Sequence, residues 1–112
     1  MLLVAKIIHT YLGMMDSMVQ NCDEAVMGDA TKILTGMSYI RSFNAMKKEL
    51  ISFMNMGIKT RSLGIFIEWD RTSMATEDEA EYIRAETLLV IEELEYKLNK
   101  IKKFIRMRGF DI

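Results

Sequence analysis

The reactive side chains of this 112-residue chain are few: one histidine, His9, one cysteine, Cys22, and a large set of carboxylates and amines. A nucleophile of the cysteine type needs a base within hydrogen-bond reach. His9 and Cys22 lie on one helical pattern, and their spacing separates them by roughly 140° around the axis and about 20 Å along it. They cannot meet there. His9 stands beside the polar stripe of that pattern and reads as a solvated side chain, whereas Cys22 stands on the apolar stripe and reads as a small core residue.

Metal chemistry has little to work with. A zinc site made of cysteine and histidine ligands cannot form within one chain that has one of each, and no CxxC, HExxH or ExxH spacing occurs. Thioether ligation of a soft metal would need a cluster of exposed methionines. The six glycines are scattered singly, so no phosphate-cradling loop or dinucleotide fingerprint is present. Neighbouring carboxylates such as Glu92 and Glu93, or Glu77 to Glu79, read as a solvated helical face without a cleft that would make one of them an acid catalyst. The sequence points away from an enzyme, and no cofactor or metal is expected.

The one strong charge feature is near the C-terminus. Glu77 to Glu95 holds eight acidic residues against the single base Arg84, and Lys97, Lys100, Lys102, Lys103, Arg106 and Arg108 then follow with no acid among them. Acids early and bases late complement the helix macrodipole. They also let two such helices pack antiparallel with each acidic half against a basic half. The six bases are candidate phosphate contacts, which makes a nucleic-acid-binding regulator the alternative function; the net charge of −1 and the pI near 5.8 weigh against it.

These residues must be positioned by helices. The chain has no proline, the residue that interrupts helices, and half of it is hydrophobic while 28% is charged. Its length suits one domain, 1–112, able to bury about two-thirds of its unfolded surface. Apolar residues recur at three- and four-residue spacing over 2–27, then Gly28 supplies a stop and Asp29 a fresh N-cap. A second helix is expected over 30–56, closed by Gly57, and a short one over 63–71, although "GIFIEWD" also has the composition of a strand that would pair between chains. The last helix, 77–108, opens on a capping box of Thr76 and Glu79 and runs about 48 Å. The expected fold is an all-α antiparallel bundle of three long helices plus one short helix, with the C-terminal helix extended.

Ile91, Leu94, Leu98, Ile101 and Ile105 run in the 3-4-3-4 spacing of a coiled coil and are the expected partner or dimer interface, together with Trp69 as either a plug for the bundle end or a binding anchor. Eight of the 11 methionines fall between Met14 and Met56, as core filling or as an adaptable groove for apolar partners. The reading that follows is a non-enzymatic protein-protein interaction module (a small adaptor, chaperone, inhibitor or regulatory subunit), homodimeric through the long C-terminal helix. A lone cysteine and the lack of a signal peptide or apolar span point to the cytoplasm, or to the interior of a host cell if the protein is viral.

Overall fold

The computed structural model describes residues 2–59 and 77–112, and three long helices account for nearly all of them. Helix α1 spans Leu2–Gly28, and a 3₁₀ turn over Ala30–Lys32 leads into α2, Ile33–Lys59. Helix α3 covers Glu77–Met107. No strand occurs among the described residues.

The link between α1 and α2 is set by Asp29. Its backbone is extended (φ −154°, ψ 114°), and its carboxylate accepts from the Thr31 amide at 3.0 Å and the Thr31 hydroxyl at 2.8 Å. This is N-capping chemistry: a short oxygen-bearing side chain satisfies an amide that the first turn leaves without a carbonyl partner. The same bonds hold the Asp29 carboxyl below its ordinary pKa, because the backbone and then the hydroxyl of Thr31 favour the charged form.

At the other end Gly109 adopts φ +90°, a left-handed conformation that side chains resist. Its amide donates to the Arg106 carbonyl at 3.0 Å and the Phe110 amide donates to the Ile105 carbonyl at 3.4 Å. That pair of bonds is a Schellman closure and ends α3 where the glycine was expected to end it.

Cross-helix contacts give the chain directions. Cys22 and Gly36 join α1 to α2 near their shared turn, so these two helices run antiparallel. Lys47 pairs with Glu95, and Arg84 donates to Asn55, so α2 and α3 are also antiparallel. Ile8 lines one groove with Ile83 and Val19 lines another with Ile101, which makes α1 and α3 parallel. The result is an up-down-up bundle, 49 × 22 × 20 Å.

Its core follows the helical period. Met15, Val19, Cys22 and Val26 from α1 meet Ile33, Ile40, Phe43, Leu50 and Met54 from α2 and the seam of α3. The α1–α2 crossing is close because Gly36 has no side chain. A Cβ there would collide with Val26 Cγ2, and the Cys22 thiol donates to the Gly36 carbonyl at 3.3 Å across the same gap.

The three long helices were expected, and their ends differ from expectation by a few residues. Helix α2 begins at Ile33 because Asp29 caps a 3₁₀ turn, and it continues through Gly57 to Lys59. A glycine inside a helix costs only about 1 kcal/mol and does not by itself end one. The expected short helix over 63–71, the strand alternative for the same stretch, and Trp69 lie outside the described residues.

Candidate interaction surface

The five residues expected to face a second chain are taken up inside this one. Ile91, Leu94, Leu98, Ile101 and Ile105 are all at most 5% exposed, packed against α1 and α2. Their 3-4-3-4 spacing marks a helix face that needs covering, and two other helices of the same chain cover it. The sole buried polar side chain in that region, Thr87, donates its hydroxyl to the Ile83 carbonyl at 2.7 Å within the helix. No buried side-chain nitrogen or oxygen among the described residues lacks a partner.

Helix α3 has a second apolar stripe. Tyr82, Leu89, Tyr96 and Met107 are 67%, 55%, 64% and 78% exposed. At about 100° per residue they fall within roughly 40° of one another and about 160° from the buried seam. The stripe is about 38 Å long at 1.5 Å per residue. A solvent-facing helix side is ordinarily polar, so a helix apolar on two opposite sides has one side more than the described residues cover. Sequence reasoning found the more regular stripe and passed over this one. The residues spaced by seven, Tyr82, Leu89 and Tyr96, were the available signal.

Charges border the stripe. Glu86, Glu92 and Glu93 flank its first part and Lys97 and Lys103 its second, while Lys100 lies on the stripe itself between Tyr96 and Met107, all exposed. Glu86, Glu92, Glu93, Lys97 and Lys103 form no ion pair among the described residues. Other charges are engaged at home. Glu95 pairs with Lys47 at 2.9 Å, Arg84 reaches Asn55 and Glu81, and Arg106 Nε donates to the Ile112 carbonyl at 2.8 Å. Lys100 Nζ lies 4.6 Å from the centre of the Tyr96 ring and the Arg108 guanidinium 4.7 Å from that of Phe104. These cation–π contacts hold two aromatic rings against the helix surface.

Of the candidate phosphate contacts, Lys97, Lys100, Lys103, Arg106 and Arg108 are exposed and Lys102 is half-buried. They spread around α3 rather than along one face, since Lys97 lines the groove with α1 while Lys103 lies on the outer side. The methionines divide between the two roles considered for them. Met15 and Met54 are fully buried, Met18, Met37 and Met46 half-buried, and Met14 and Met27 about half-exposed, Met27 in the groove that α1 forms with Lys97 and Lys100 of α3.

The remaining candidates are placed plainly. Cys22 is fully enclosed and burial pushes its thiol pKa up to about 11, with the Asp23 carboxylate adding to the rise, so it stays a thiol and not a nucleophile. His9 is exposed on the same helix and does not approach it. Among the described residues no three His, Cys, Asp or Glu side chains converge as metal ligands, and no helix is long and apolar enough to cross a membrane. In comparisons with known proteins, no family model, no curated protein and no solved structure matches this chain.

Proposed function

We propose that the protein is a non-enzymatic protein-protein interaction module whose recognition surface is the outer face of α3. The observation that carries the reading is the second apolar stripe. With the core complete on one side of α3, Tyr82, Leu89, Tyr96 and Met107 remain exposed on the other. Large amphipathic rings beside a leucine, rimmed by charge, are the composition of a protein interface core and rim.

The test is capture of binding proteins by the full chain and by its Leu89→Glu variant, with the circular dichroism and melting of both compared. Leu89 makes little use of its side chain within its own chain, so the variant is expected to keep the parent's helical circular dichroism and to lose its partners. Retention of every partner by the variant would remove α3's outer face from the function.

A nucleic-acid-binding regulator is the second reading, favoured by six bases between Lys97 and Arg108 with no acid among them. Its signature is binding to a duplex that weakens steeply with salt and is lost when Lys102, Lys103, Arg106 and Arg108 become glutamine. Binding that ignores both changes belongs to the protein-interaction reading instead.

A further inference from the structure

We infer that the occupant of the outer face of α3 is a second copy of this chain, with its α3 running antiparallel and a two-fold axis passing near Tyr96. This rests on the interaction reading above and names its partner.

The argument is one of self-complementary charge. A two-fold axis at Tyr96 places a residue n positions before it opposite a residue about n positions after it in the other copy. Glu92 stands four before and Lys100 four after. Leu89, seven before, meets Lys103, seven after, whose aliphatic stem can cover it while the ammonium stays wet. Tyr96 meets its own copy on the axis. Both arms of the contact are equivalent by symmetry, so each favourable pairing occurs twice.

The chain leaves most of the rim charges available, and Lys100, held over its own Tyr96 ring, stays close to the axis. Glu86, Glu92, Glu93, Lys97 and Lys103 have no ion pair at home among the described residues. Arg84, the base that would spoil the acidic half, is turned toward α2 by its 2.9 Å bond to Asn55. A parallel arrangement would set acid beside acid and base beside base, which is unfavourable along the whole contact. The antiparallel one covers Leu89 and Tyr96 and sets the acidic rim of one copy beside the basic rim of the other.

Light scattering on the full chain, over a dilution series at low and high salt, is the first measurement. The expected mass is twice 13.0 kDa at low salt, with dissociation promoted by salt because the rim charges are exposed. Leu89→Glu is expected to weaken association by about 30-fold or more, as loss of a buried interface anchor does. Direction is read by cross-linking: Glu92→Cys and Lys100→Cys chains, mixed and oxidised, should join to each other and neither to itself, while buried Cys22 stays silent.

A wild-type chain that is monomeric at every concentration overturns the second copy alone; the interaction reading fails separately, when that monomeric chain captures the same proteins with and without Leu89→Glu. A dimer indifferent to Leu89→Glu, or Glu92→Cys chains that join to one another, overturns the assigned face or its direction.

Discussion

Cys22 and Gly36 show how much two small side chains decide in this bundle. The glycine lets α1 and α2 approach until a thiol reaches a backbone carbonyl, and the stiff, buried Val26 fills the space a Cβ would need. Gly36→Ala should therefore lower stability by about 1–3 kcal/mol, the usual cost of overpacking, even though alanine is the better helix former. Urea denaturation measures this, and an unchanged midpoint would mean that the crossing is looser than it looks. Cys22 makes a second prediction. Its folded pKa is raised from an ordinary value near 9 to about 11, so the folded state holds the proton through a range where the unfolded chain releases it. The thiol's contribution is intact below pH 9 and is lost as pH rises toward 11. Cys22→Ala should flatten the alkaline fall in urea midpoint over that window, and thiol reagents should modify the native protein only as fast as it opens. Cys22 was legible from its place on an apolar stripe, and the collision at Gly36 was not, because only the helix crossing brings Val26 to it.

Helix α3 carries the same residue type on opposite sides, which separates packing from surface cleanly. Leu98 is 1% exposed and Leu89 is 55% exposed. Leu98→Ala should cost about 2–5 kcal/mol through lost burial and the cavity left behind. Leu89→Ala should change monomer stability by no more than about 0.5 kcal/mol, as a surface substitution does. Equal effects in thermal or chemical unfolding would contradict the assignment of the two faces. The Lys47–Glu95 pair between α2 and α3 is partly exposed on both sides, and its removal by Lys47→Met should cost less than about 1 kcal/mol. The element boundaries were legible where a local signal sets them: Asp29 as a cap, and Gly109 as a left-handed stop. Gly57 failed as a stop because one glycine costs a helix only about 1 kcal/mol.

Taken together the helices form a rod, with a radius of gyration of 16.5 Å where a compact chain of this length would have about 13 Å. Such a shape leaves gel filtration ahead of round standards of equal mass, so elution volume alone would mimic a dimer. Small-angle scattering of Leu89→Glu should give a radius near that of the single rod, with the mass from light scattering confirming one chain. A compact particle would contradict the up-down-up arrangement of three long helices.

Helical class, three long helices and their principal apolar seams could be read from the chain, because period, caps and the absence of proline act over a few residues at a time. The tertiary structure decided which seam is spent at home. Ile91, Leu94, Leu98, Ile101 and Ile105 look the same on paper whether another chain or another helix covers them, and burial by α1 and α2 assigns them to the core. It also turned Tyr82, Leu89 and Tyr96 from incidental residues on a charged helix into a second face. Whether an apolar side chain is core or surface depends on what lies across from it, and that is a property of the packed helices, not of the residue's own spacing.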